Sequence, residues 1–238
     1  MKWNEYRTGL SRGLPVGMGY FSVSFGFGAM AVSQGLRVFD ATLISLTNVT
    51  SAGQFAGLTV IVAAATLWEM ILTQLIINSR YALMSLALSQ RMGQRIGFLP
   101  RLVIAFFNTD EVFAVASGQP GKVGRYYLFG LIVAPYIGWS SGTLLGSIAS
   151  GLLPASVMAA LGIAIYGMFL AIILPPARKE KPVRIVVLIA IAISLLFNYL
   201  PALKDVSSGF VVIICSVVAA AIGAVLFPVK DEEGGAAA

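Results

Sequence analysis

Two carboxylates stand side by side in an apolar setting, in Phe106-Phe107-Asn108-Thr109-Asp110-Glu111-Val112-Phe113. Adjacent residues on a helix point about 100° apart, so the two need not share one proton. Inside a membrane at least one of them must be protonated, paired, or set in a water cavity, and either could couple solute movement to a proton. At a surface the same pair would be a helix cap or a solvated turn. Arg80 is the natural counter-charge. It divides two ten-residue uncharged runs, between Glu69 and Arg91, and a charge at such depth costs about 2.5–3.5 kcal/mol on insertion scales. It is therefore either paired and functional or snorkels to the interface. Glu69, eleven residues earlier on the same helix face, lies about 16 Å away along the axis and cannot reach it directly. Asn78 adds an amide beside Arg80.

Other polar groups interrupt apolar runs. Asn48, Ser51 and Gln54 recur every third residue, with Gly53, Phe55 and Gly57 among them. On one helix they would form a polar stripe that faces protein or a solute, not lipid. Gly13 to Gly28 carries five further glycines between or beside Pro15, Tyr20, Phe21 and Phe25, including Gly17 and Gly19. Such a stretch either lets helices approach closely or breaks a helix whose free N–H groups bind an anion. Tyr136, Trp139, Ser140, Ser141 and Thr143 follow Pro135, as a pocket lining or as an interfacial aromatic belt.

These groups must be held by membrane-spanning elements. Of 238 residues, 58% are hydrophobic and 11% charged, about half the charge of an ordinary soluble domain. The stretch between Arg125 and Arg178 is uncharged throughout. That pattern excludes a soluble globule, a disordered chain and a nucleic-acid-binding module. Eight apolar segments follow one another: Gly13–Gly35, Ala41–Leu67, Trp68–Gln90, Leu99–Ser117, Tyr127–Ser150, Leu152–Leu174, Arg184–Leu200 and Ser208–Phe227. They predict an all-α polytopic bundle of seven or eight membrane segments, at least one of them broken or re-entrant. A tail (1–12) precedes one transmembrane domain (13–229), and a polar tail (230–238) ends it. An offset of about 114, pairing Ala41 with Ala155, Gly53 with Gly167 and Phe55 with Phe169, is either an internal repeat or chance in glycine-rich apolar sequence.

Charge leaves topology undecided. If all eight segments cross from a cytoplasmic N-terminus, ten basic residues lie inside and five outside, with Arg91, Arg95 and Arg101 on the wrong side. If the fourth segment does not cross, the balance is eleven to four, with the N-terminus outside. Both arrangements put the 178–184 loop in the cytoplasm. The single cysteine, Cys215, and the lack of histidine exclude an internal disulfide, His-based metal sites and Ser-His-Asp chemistry. No P-loop or other enzyme motif is present. No enzyme activity and no cofactor are expected.

Several stretches together resemble the AzlC-type branched-chain amino acid permease family: Gly13-Leu14-Pro15-Val16-Gly17 with Tyr20-Phe21 and Phe25-Gly26, Ser51-Ala52-Gly53-Gln54-Phe55, Asn78-Ser79-Arg80-Tyr81 with Leu83-Met84, and Asn108-Thr109-Asp110-Glu111. The resemblance implies a multi-pass protein of the bacterial plasma membrane. It would export leucine, isoleucine, valine and related amino acids together with a small hydrophobic AzlD-type subunit. Carried over residue by residue, it marks Gln54 with its glycine neighbours, Asn78, Arg80, Asp110 and Glu111. Ser51-Ala52-Gly53 stands where the family often has Ala-Gly-Ala, and Phe113 where tyrosine is frequent.

Together these readings give an expected solute site. Gly17, Gly19, Tyr20, Phe25, Asn48, Ser51, Gly53, Gln54, Phe55, Asn78, Arg80, Phe107 and Asn108 would bind the solute, its side chain among Phe21, Phe25, Phe55 and Phe107. Asp110, Glu111 or Glu69 would hold its ammonium group or a coupling proton. The alternatives are a channel or a transporter for another small organic anion, and a structural subunit that does not itself transport.

Overall fold

A computed structural model describes residues 2–93, 96–154, 156–157, 160, 167, 170, 173–203 and 206–228. Its elements are α1 (Lys2–Ser33), α2 (Val38–Thr47), α3 (Ser51–Val62), α4 (Leu67–Arg91), α5 (Phe98–Phe106), α6 (Asp110–Ser117), α7 (Arg125–Ala149), α8 (Lys181–Tyr199), a 3-10 turn (Pro201–Leu203) and α9 (Ser208–Leu226). Among the described residues, five helices are long and apolar enough to cross a bilayer: α1, α4, α7, α8 and α9. The sixth expected segment, the repeat partners Ala155 and Phe169, and the 230–238 tail lie wholly or mostly outside the described residues.

Helices α1 and α7 form the spine, and they run parallel. Gly9 meets Tyr127 and Leu131, Gly17 meets Ala134, Gly142 meets Phe21, and Gly28 meets Thr143, so the two chains advance together. A Cβ on Gly17 would stand 2.6 Å from the Ala134 carbonyl oxygen. Without a hydrophobic force between helices in lipid, such backbone approach is what holds them together. The expected break in the first segment is therefore corrected: α1 is continuous through Pro15, and Gly17 serves packing. At the end of α1, Gly35 takes φ +101° while Leu36 N–H donates to Ala31 O at 3.0 Å. This is a glycine-capped helix end.

Neither the second nor the fourth segment crosses. Each is a pair of half-length helices folded back on itself. Descending α2 places Ala41 with Phe27 and Ala31, at the end of α1; Ser45 then reaches Thr143 and Leu46 reaches Tyr136, in the middle of α7. After a break at Asn48-Val49-Thr50, α3 climbs back: Gly53 lies against Asn78 and Gln74, and Gly57 against Gln74 and Met70. The second hairpin mirrors this from the opposite face. The Arg91 side chain donates to Ser117 O, and Val123 N–H donates to Arg91 O at 2.9 Å. The end of α4, the end of α6 and the approach to α7 therefore share one face, the face where α1 begins. From there α5 rises to a break at Phe107-Asn108-Thr109 and α6 returns. Thus a long helix and a folded-back pair, α1–α3, are followed by the same elements in reverse direction, α4–α6. Each hairpin carries its own apolar core. Phe27, Ala31, Ala41, Phe55 and Leu58 fill one half, and Leu88, Ile104, Val112, Leu128 and Leu131 are prominent in the other.

α9 begins at the far face, where α1 ends, pinned to the start of α4, and α8 lies antiparallel to it, with Val186 against Gly223. The charged 178–184 segment consequently lies at the face where α1 begins.

Candidate functional site

The two hairpin tips meet the middle of α1 and α7. Chain ends inside a bilayer need internal partners for their free backbone groups, and the tips find them in side chains. The Tyr136 hydroxyl donates to Leu46 O at 3.1 Å, closing an open carbonyl of α2. Its ring packs edge-on against Phe107 of the other tip, with centroids 4.8 Å apart. The Tyr20 and Trp139 rings meet edge to face, with centroids 5.3 Å apart. An aromatic layer thus separates the tips and touches both.

The tip of the second hairpin, α5–α6, carries the charge. Arg80 Nη1 lies 2.6 Å from Asp110 Oδ2, with side chains 40% and 30% exposed. The Tyr20 hydroxyl hydrogen-bonds both Thr109 Oγ1, at 2.7 Å, and the Glu111 carboxylate. With one proton to give, it donates to the carboxylate. Asp110 and Glu111 also occupy the first turn of α6, where negative charge complements the helix dipole. The adjacent carboxylates thus face different partners, α4 and α1. Asn108 is 1% exposed. Its Nδ2 donates to Ser85 Oγ at 3.3 Å, and its Oδ1 is buried with no partner among the described residues.

The tip of the first hairpin, α2–α3, is neutral and locked. Gln54 is 1% exposed. It accepts from Trp139 Nε1 at 2.7 Å and donates to Ser45 Oγ at 2.7 Å, which is in turn 2.7 Å from Thr143 Oγ1. On the other side Gln74 Nε2 donates to Gly53 O at 2.8 Å, and Asn78 Nδ2 to Gln74 Oε1 at 3.0 Å. Thr50 Oγ1 and Asn78 Oδ1 are buried with no partner among the described residues.

Of the expected site residues, the structure gathers Tyr20, Gln54, Gly53, Asn78, Arg80, Phe107, Asn108, Asp110 and Glu111 around the tips. Asn48 stands in the first break and Ser51 opens α3, so the two do not share one helix face: α2 ends at Thr47 and α3 starts at Ser51. Glu69 is a correction. It lies at the far face, 3% exposed, accepting from Ser207 Oγ at 2.5 Å and Gly209 N–H at 2.9 Å, where it caps α9 and anchors it to α4. The proposed phenylalanine cluster also dissolves. Phe55 packs on Phe27, Phe107 on Phe106 and Tyr136, Phe21 lines an outer groove, and Phe25 lies against Gly146. Gly19 has open space around it. Ser45, Thr50 and Ser85 join the tips without having stood out. Ser45 continues the three-residue spacing of Asn48 and Ser51 backwards, which was the available signal. Among the described residues, no group of His, Cys, Asp and Glu could hold a metal.

A family model described as AzlC protein matches residues 15–153. An uncharacterized membrane protein of Archaeoglobus fulgidus is 33% identical over 172 residues, 71% of this chain and 75% of its own length. Inner membrane protein YgaZ of Escherichia coli is 28% identical over 183 residues, 74% and 75% of the two chains. An uncharacterized membrane protein of Helicobacter pylori is 29% identical over 134 residues, 55% and 58% of the two. No solved structure matches. The chain belongs to the AzlC family and is a membrane protein.

Proposed function

We propose that this AzlC-family chain is a secondary transporter that exports amino acids with branched or otherwise apolar side chains across the plasma membrane, acting with a small AzlD-type subunit. One observation carries this: an ion pair and a second carboxylate sit at mid-depth, where two hairpins entering from opposite faces touch. Transporters place their solute at such breaks, which offer free backbone groups without exposing them to lipid.

Orientation follows from charge. Among the described residues, the face where α1 begins holds Lys2, Arg7, Arg12, Arg91, Arg101, Lys122, Arg125, Arg178, Lys179, Lys181 and Arg184, and the opposite face holds Arg37. The basic face is the cytoplasmic one. Both earlier charge counts assumed at most one segment that fails to cross; with two hairpins, Arg91 and Arg101 fall inside and the conflict vanishes.

In this mechanism a zwitterionic solute enters from the α5–α6 side. Its carboxylate takes Asp110's place on Arg80, and Asp110 is released to the ammonium group. Glu111 carries the coupling proton, and its bond to Tyr20 ties protonation to the position of α6. The test is counterflow of L-leucine in proteoliposomes, with and without the small subunit. Saturable exchange that loses its pH dependence in Glu111→Gln supports the proposal. Non-saturable flux points to a channel, and no flux from either preparation removes transport altogether.

A further inference from the structure

Between α4 and α5 a slot of about 210 Å³ runs from the cytoplasmic end of α5 to the tip of its hairpin. Its walls are mainly Leu88, Leu102, Ile104 and Ala105, with Ser89 and Arg101 also on its lining, and Asn108 and Ser85 form its inner end. We propose that this slot receives the apolar side chain of the transported solute, while Asn108 Oδ1 accepts a hydrogen bond from the solute's ammonium group. The proposal rests on the transporter reading above and names the subsite that sets specificity.

Three observations converge on it. The exposed lining of the slot is predominantly apolar, and burying hydrocarbon against it removes apolar surface from water. Its inner end is not apolar. The Asn108 amide donates to Ser85, and its Oδ1 is buried with no donor among the described residues. A buried acceptor of that kind calls for a partner. The occupant therefore combines a hydrocarbon body with an N–H donor at one end. A lipid tail meets the first requirement and not the second. Beyond Asn108 lies Arg80, suited to a carboxylate. An α-amino acid laid across the tip would use all three, with its side chain pointing down the slot.

Ala105 stands at the open side of the slot and is exposed, so a larger side chain there fills the slot without forcing the backbone. The experiment measures thermal stabilisation of the full chain in lipid nanodiscs by L-leucine, L-alanine, 3-methylbutylamine and 4-methylpentanoate. In the unaltered protein, leucine and the amine should stabilise more than the carboxylate that lacks an ammonium group. Ala105→Phe should lower the leucine-to-alanine affinity ratio by about tenfold or more, the scale set by lost hydrocarbon contact in a fitted pocket. Asn108→Leu should abolish the preference for 3-methylbutylamine over 4-methylpentanoate. An unchanged leucine-to-alanine ratio in Ala105→Phe overturns the slot assignment and leaves the transporter reading standing, with lipid as the occupant. If no amino acid stabilises the unaltered chain, both fail together.

Discussion

Breaking the Arg80–Asp110 pair tests whether the charged cluster holds the tip of the α5–α6 hairpin. Two unit charges at the observed 2.6 Å attract by about 6 kcal/mol at an effective dielectric of 20. Water recovers much of that when the pair opens, because the side chains are 40% and 30% exposed. Fully exposed pairs are worth about 0.2–1 kcal/mol, and removing one partner of a fully buried pair costs about 3–5. This pair lies between the two, at about 1–2 kcal/mol of coupling. A double-mutant cycle with Arg80→Gln, Asp110→Asn and both together isolates that quantity. Each single change should lower Tm by about 2–8 °C, using the usual 2–4 °C per kcal/mol for a chain of this size. The double variant should fall clearly less than the sum. L-leucine should protect the unaltered protein and not Arg80→Gln. Coupling below about 0.3 kcal/mol, within ordinary additivity error, would refute the idea that the pair fixes the tip.

Further outcomes follow from the same geometry. Gln54→Leu strands the Trp139 indole N–H and the Ser45–Thr143 pair in a buried site, so it should cost about 2–3 kcal/mol by chemical denaturation; a neutral result would show that the first tip is not locked there. Ala64 takes φ +49° where α3 turns into α4, a conformation that costs an L-residue about 1–2 kcal/mol. Ala64→Gly should therefore raise Tm by about 2–4 °C. In a Cys215→Ser background, cysteines at Arg37 and Ala64 should react with an impermeant maleimide added outside cells. Cysteines at Arg12 and Lys122 should react only after lysis. Labelling of Ala64→Cys only after lysis, on the side opposite Arg37→Cys, would undo the hairpin topology.

Much of this was legible in the residues. Apolar runs marked the helices, and an arginine isolated in one of them pointed to the carboxylates it meets. What failed to show was direction. Val38–Val62 and Phe98–Ser117 span about as many residues as a crossing helix, and hydropathy counts residues without knowing whether the chain goes through or turns back. The clue was local: Asn48 and Thr50, Asn108 and Thr109 are poor helix-interior residues that serve well as caps, placed at the middle of each run. Glu69 misled for a related reason. From sequence, a carboxylate deep in one helix looks functional, and the donors that satisfy it, the Ser207 hydroxyl and the Gly209 N–H, lie far along the chain.

The arrangement also constrains how such a protein could move. The α1–α7 spine is held by backbone lying on backbone, and Gly13, Gly17 and Gly142 leave no room to slide without a clash. The hairpins, in contrast, attach to it through side-chain contacts at their tips: Gln54, Ser45 and Tyr136 for one, Glu111 through Tyr20 for the other. Releasing a hairpin breaks these hydrogen bonds and rearranges the side chains of its apolar core, Phe27 and Ala31 of α1 for one and Leu128 and Leu131 of α7 for the other, while parting the spine would separate backbone from backbone along two helices. Motion should therefore be confined to the hairpins, one opening to each side. Because the aromatic layer of Tyr20, Tyr136 and Trp139 touches both tips, displacement of one tip alters the seat of the other. Asp110 and Glu111 sit at the tip facing the basic surface, so under the proposed export a solute's own charges would act first on that hairpin.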